Sequence, residues 1–183
     1  MSVKYDSTIS TLEHIERVAY YLQKAISELY FRKFNHDDSK LREPEKSIFD
    51  IYTPKLEKTT YGSKEYNQNL AEMKKALEHH YSNNRHHPEH FSNQFCLSCK
   101  KDIGNKYTNH CPFCDSDQIK REIDFAKMNL IDILEMLCDW IAASERHSDG
   151  DIFKSIEINQ ERFGYDNQIK KILENTVRDL FNV

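Results

Sequence analysis

Leu130-Ile131-Asp132-Ile133-Leu134-Glu135-Met136-Leu137-Cys138-Asp139-Trp140-Ile141-Ala142-Ala143 is apolar nearly all round, a pattern that marks a helix packed in the core of a larger fold. Asn129 stands in front of it as a cap, and the helix is expected to run to about His147. Its charges, Asp132, Glu135 and Asp139, recur at intervals of three and four and so share one face. Either that face is a narrow solvated stripe, or at least one carboxylate points at a metal, since an ionised carboxylate in apolar surroundings is costly unless paired or coordinated.

The same periodicity extends outward. Leu12, Ile15, Ala19, Leu22, Ile26 and Leu29 form the stripe of an amphipathic helix that begins near Asp6 or Ser7. A short helix is expected over 43–52, entered through Pro44, and a longer one from the turn Tyr61-Gly62-Ser63 through Leu70, Met73 and Leu77 to His80. Residues 83–92 read as loop. Gly150 and Gly164 mark later stops, with terminal helices over 151–162 and 166–181. The fold class expected is therefore all-α, interrupted by one segment of different character.

That segment is 93–126. Five cysteines make no even disulfide framework, and four of them stand as Cys96-x-x-Cys99 and Cys111-x-x-Cys114. Two thiolate pairs on tight turns can close a tetrahedral Zn²⁺ site, with Pro112 suited to one of the knuckles. We expect a zinc-ribbon insert there, flanked by a helical domain made of 1–92 and 127–183. Cys138 reads as a small buried hydrophobe rather than a nucleophile.

Composition narrows the partners. A chain of 183 residues suits one domain with a small insert. The formal charge of −4 and pI near 6.1 argue against a nucleic-acid coat protein, which would need a basic stripe, so a small partner is expected. No apolar run approaches ~18 residues and no signal-like segment follows Met1, so nothing points to a membrane and the cytoplasm is the expected compartment. With Gly62, Gly104, Gly150 and Gly164 as the only glycines there is no Walker loop, dinucleotide fingerprint or nucleophile elbow, and the zincin motif is missing.

The chemistry-bearing residues are histidines and acids: His14, then His36-Asp37-Asp38-Ser39-Lys40, then His79-His80, then Arg85-His86-His87-Pro88-Glu89-His90, then Asp139. A neighbouring imidazole and carboxylate can hold one divalent ion, which lowers the pKa of a bound water from ~15.7 towards ~7. Two adjacent imidazoles at the end of a helix are a wasteful way to cap it. His36-Asp37 also fits a helix-end cap, and His86, His87 and His90 fit either plain loop residues or, with Arg85, the lining of a phosphate pocket.

The order His14…Val18, His36-Asp37-Asp38-Ser39-Lys40, His79-His80, Asp139…Arg146 resembles the HD superfamily of metal-dependent phosphohydrolases, closest to its HD-GYP branch, over residues 14 to 146. The Gly-Tyr-Pro loop that names that branch is absent, so cyclic-dinucleotide specificity is not implied. His36-Asp37-Asp38-Ser39-Lys40, the His86–His90 run, Glu135-Met136-Leu137-Cys138-Asp139-Trp140 and Ser155-Ile156-Glu157-Ile158-Asn159 are also similar to an uncharacterised family of small phage and bacterial proteins. The HD resemblance implies a helical HD-like bundle in which His14, His36, Asp37, His79, His80 and Asp139 hold one or two ions (Mn²⁺, Fe²⁺, Co²⁺ or Mg²⁺). With that fold we expect a nucleotide or other small phosphoester or phosphoanhydride to be hydrolysed, Lys40 and Arg146 to stabilise charge on phosphoryl oxygens, and Arg85, His86 and His87, if not plain loop residues, to meet the substrate. The competing expectation is a non-catalytic module on the same fold, which sequesters a nucleotide or protein partner and docks through the zinc ribbon.

Overall fold

The computed structural model describes residues 5–60, 63–104, 108–146 and 150–181. Over these the protein is mostly helical, with one small sheet. The chain divides into two compact units, residues 1–36 and 37–183.

The first unit is helix α1, Thr8–Asn35, with Ser7 before it and His36 closing it. It forms where the stripe of Leu12, Ile15, Ala19, Leu22, Ile26 and Leu29 requires, yet none of its residues is buried.

The second unit opens with Asp37 in the left-handed region at φ 56°, followed by a 3₁₀ turn over Asp38–Leu41. Helix α2 (Lys46–Leu56) begins three residues after the expected start at 43 and ends four residues after the expected end at 52. The long helix expected up to His80 is two helices, α3 (Lys64–Glu72) and α4 (Lys74–Asn83), broken at the fully buried Met73. The Ser63 hydroxyl accepts from the Tyr66 N–H and caps α3, while Tyr61 and Gly62 of the expected turn lie outside the described residues. A 3₁₀ turn, Pro88–Phe91, occupies the expected loop.

The cysteine-rich segment supplies a three-stranded antiparallel sheet, β1 (Ser92–Cys96), β2 (Asp102–Gly104) and β3 (Ile119–Ile123), in the order β2-β1-β3. Strand β1 buries Ser92, Gln94 and Cys96 and exposes the residues between, the alternation of a half-buried strand. The ribbon belongs to the second unit and grows out of its core, because Ile123 and Phe125, at its exit, pack on the main hydrophobic cluster.

That cluster is built on α5 (Leu130–Ser144), α6 (Ile152–Phe163) and α7 (Asn167–Thr176), the last continuing as a π-turn over Val177–Phe181. Phe91, Met136, Leu137, Ile141, Ile156, Phe163, Tyr165, Leu173 and Val177 are among its buried members. Asn129 caps α5 by accepting from the N–H groups of Ile131 and Asp132, and Asp132 accepts from the Asn129 N–H, a reciprocal capping box. The all-round burial expected of α5 is not met at its start or at its outer face: Leu130 is 82% exposed and Cys138 is exposed. Gly164 ends α6 at φ 71°, where a side chain would be strained.

Candidate metal centres

Three short elements of the second unit deliver the principal site. Asp37 heads the 3₁₀ turn, His80 lies one turn from the end of α4, and His86 and His87 follow on the segment that Pro88 turns into the next 3₁₀ turn. One ligand atom from each of Asp37, His80, His86 and His87 lies within 4.8 Å of the others. His80 Nε2 is 2.8 Å from His87 Nε2 and 3.3 Å from Asp37 Oδ1, and His86 Nε2 is 3.4 Å from the same oxygen. Ligand atoms ~2.1 Å from one ion stand ~3.0 Å apart at right angles and ~3.4 Å apart at tetrahedral angles, so the spacing fits a shared divalent ion.

Carboxylates behind the imidazoles fix which nitrogen faces inward. His80 Nδ1 is 2.9 Å from Glu45 Oε2, and His86 Nδ1 is 3.3 Å from Glu135 Oε1. A Nδ1–H donated to a carboxylate leaves Nε2 with its lone pair, the tautomer a metal requires. Glu45 is fully buried and is held in turn by Ser39, whose hydroxyl donates to Oε2 at 3.0 Å, and by His79. Asn84 donates to the Ser39 hydroxyl and to the His80 carbonyl and locks the end of α4.

Burial opposes ionisation of Asp37, but the His86 hydrogen bond and the charges of Lys40 and His80 outweigh it and hold the carboxyl well below the usual range. Glu45 is lowered in the same way, burial being overcome by the hydrogen bonds of His80 and His79. Desolvation, with His86 and His80 beside it, keeps the His87 imidazole neutral.

The expected ligand set is redistributed. Asp37 and His80 converge, and His86 and His87, expected to meet the substrate, belong to the same group of side chains that could hold an ion. His79 turns to the other side of Glu45, with Nδ1 2.6 Å from Oε1 and the ring 41% exposed, because adjacent residues on a helix point about 100° apart. Asp139 contributes a carboxylate oxygen within 4.8 Å of one of Asp37. His36 is the residue that closes α1, peptide-bonded to Asp37, and His14 is exposed on α1. Lys40 Nζ lies 2.6 Å from Asp37 Oδ2 and over the Phe49 ring, so it neutralises the ligand carboxylate. Arg85 forms a two-pronged pair with Asp132 at 3.1 and 2.9 Å, and Arg146 is exposed in the turn after α5. Glu45 and Glu135 were not singled out as orienting groups; a buried Glu beside Pro44 carries no local sequence signal.

A cleft of about 660 Å³ begins at His87 and Asp139 and runs along α5 and α6. Trp140, Ile158 and Phe163 give it an apolar wall; Lys58, Lys154 and Arg162 bring positive charge, Arg162 paired with Glu89, and Glu57, Glu89, Asp139 and Asp151 bring negative charge. Its size is that of a small-molecule site.

The ribbon holds the second centre. Sγ atoms of Cys96 and Cys114 are 3.6 Å apart, as are those of Cys99 and Cys111, and all four lie within 4.8 Å of one another. Disulfide sulfurs would be ~2.05 Å apart, whereas four thiolates ~2.3 Å from a tetrahedral ion sit ~3.8 Å apart. Backbone N–H groups of the first knuckle, chiefly that of Cys99, lower the Cys96 thiol, while burial pushes the Cys99 thiol up, so one thiolate forms first within the group. The four cysteines can therefore hold a metal ion. Cys138 lies apart from them, and desolvation together with Glu135 and Asp139 raises its thiol, which disfavours a nucleophilic thiolate.

No helix among the described residues is long and apolar enough to cross a membrane. No curated protein and no solved structure matches the chain. Residues 3–179 match one family model, described as a family of unknown function (DUF5662), and the protein belongs to that family.

Proposed function

We propose that Asp37, His80, His86 and His87 hold a catalytic divalent ion and that the protein is a metal-dependent phosphohydrolase on an HD-like helical fold, with zinc bound by Cys96, Cys99, Cys111 and Cys114. The observation that carries this reading is the convergence of three imidazole nitrogens and a carboxylate oxygen beside a cleft that His87 lines and to which Lys154 brings a positive charge. Such an ion acts as a Lewis acid and lowers the pKa of a bound water towards ~7. Three nitrogen ligands favour Mn²⁺, Fe²⁺ or Co²⁺ over Mg²⁺, which prefers oxygen. Glu45 and Glu135 hold the imidazoles in the ligating tautomer, and Lys40 balances the Asp37 charge. Asp139, which lines the cleft and has a carboxylate oxygen near that of Asp37, is a further ligand in this reading. The cleft takes the rest of a nucleotide or another small phosphoester or phosphoanhydride.

A binding module is the second reading, favoured by the engagement of Lys40 with Asp37 and of Arg85 with Asp132, which occupies two cations a phosphate would use. One experiment separates them. Trp140 is the only tryptophan of the chain and lines the cleft, so its fluorescence reports ligand entry. Protein supplied with Mn²⁺, Fe²⁺ or Co²⁺ is screened against nucleotides and simple phosphoesters for released phosphate and for Trp140 quenching. Release that is lost in Asp37→Ala supports the hydrolase; saturable quenching without release in any metal replaces it with the binder.

A further inference from the structure

Helix α1 is 28 residues long, and none of its residues is buried. Leu12, Ile15, Ala19, Leu22, Ile26 and Leu29 alternate spacings of three and four, the 3.5-residue period of a coiled-coil seam sustained over three heptads. Leu12, Leu22 and Ile26 are each more than half exposed. Helices draw most of their stability from covering such a face, and contiguous exposed apolar surface marks an interface.

We propose that α1 pairs with α1 of a second copy of this chain as an antiparallel two-helix coiled coil. In that orientation a single register places Leu12 against the partner's Leu29, Ile15 against the partner's Ile26 and Ala19 against the partner's Leu22. Small meets large at the centre, which fills the seam. Lys33, which continues the repeat, then faces the partner's Thr8. A parallel pair would instead set Ala19 against Ala19, leaving a gap, and Lys33 against Lys33 at a core position. Charge points the same way. The half from Thr8 to Tyr21 carries Glu13, Glu16 and Arg17, a net −1, and the half from Leu22 to Asn35 carries Lys24, Glu28, Arg32 and Lys33, a net +2. Antiparallel packing opposes unlike halves. Covering six seam side chains on each of two helices buries on the order of 1,000 Å², the lower bound of a specific interface.

The test uses the full chain and does not depend on the metal centre. Sedimentation equilibrium at tens of micromolar should give a dimer. Leu22→Asp should raise the dimer dissociation constant by on the order of a hundredfold or more, since each dimer loses two covered leucines. Lys24→Asp, the same residue placed off the seam, should leave the dimer intact, so that loss of helix alone does not explain the first result. For orientation, in a Cys138→Ser background, Ala19→Cys and Leu22→Cys proteins should form an oxidative cross-link when mixed and little when separate. A monomeric wild type, a Leu22→Asp protein as dimeric as Lys24→Asp, or efficient cross-linking of Ala19→Cys alone would each overturn the proposal.

Discussion

His80 Nδ1 lies 2.9 Å from Glu45 Oε2, both side chains almost wholly buried, and this contact sets which face of the imidazole meets Asp37 and His87. A carboxylate behind a ligand histidine fixes the tautomer and raises ligand basicity. Glu45 thereby does for His80 what Glu135 does for His86.

Glu45→Gln is accordingly expected to weaken binding of Mn²⁺ or Co²⁺ by ~10–100-fold while the ribbon zinc stays in place. Calorimetric titration of metal-free protein measures the first, and elemental analysis the second. Unchanged affinity would show that Glu45 serves only the packing of α4.

Asp132 has a different part from Asp139 on the same helix. It is fully buried, closes the capping box with Asn129 and takes both prongs of Arg85. Asp132→Ala removes its half of the capping box and leaves the half-exposed Arg85 to solvent, and should cost ~0.5–2 kcal/mol of stability by urea denaturation, with metal affinity at the Asp37 group retained. Asp139→Ala should show the reverse pattern.

How far the sequence was legible can be judged on these residues. The helices over α1, α5, α6 and α7 follow from periodicity and caps, and the four-cysteine cluster from spacing. Asp37 and His80 were legible as a pair. The approach of His86 and His87 to that pair, and the turning of His79 to the other side of Glu45, were not, since they depend on the break at Met73 and on where the Pro88 turn brings the loop back, both tertiary outcomes. Ribbon boundaries were also blurred, because Ile123 and Phe125 look like insert residues in sequence and behave as core in the fold.

Two deletions test that boundary. Removal of 97–118 with a short Gly/Ser linker should leave cooperative unfolding of the helical core. Removal of 93–126 also takes away Ile123 and Phe125, partly buried side chains that cover the core, and should lower the urea midpoint well below that of the shorter deletion. Equal behaviour of the two would contradict the assignment of these residues to the core.

Tyr165 predicts an alkaline limb. Its hydroxyl donates to the Ile156 carbonyl, and burial, assisted by Glu174, raises its pKa above the ordinary value of 10.0. A phenol whose folded pKa is raised stays protonated in the native state while the unfolded chain ionises, so stability is full below pH ~10 and falls as pH rises above it, at up to ~1.4 kcal/mol per pH unit. Tyr165→Phe should be less stable than wild type at neutral pH and should lose less on going to alkaline pH, both read from urea midpoints.

The shared ion is tested most directly by anomalous diffraction at the manganese edge from crystals grown with Mn²⁺. The expected result is one peak ~2.0–2.3 Å from Asp37 Oδ1 and from the Nε2 atoms of His80, His86 and His87. A site without such a peak, with His80 and His87 hydrogen-bonded directly to each other, would contradict it.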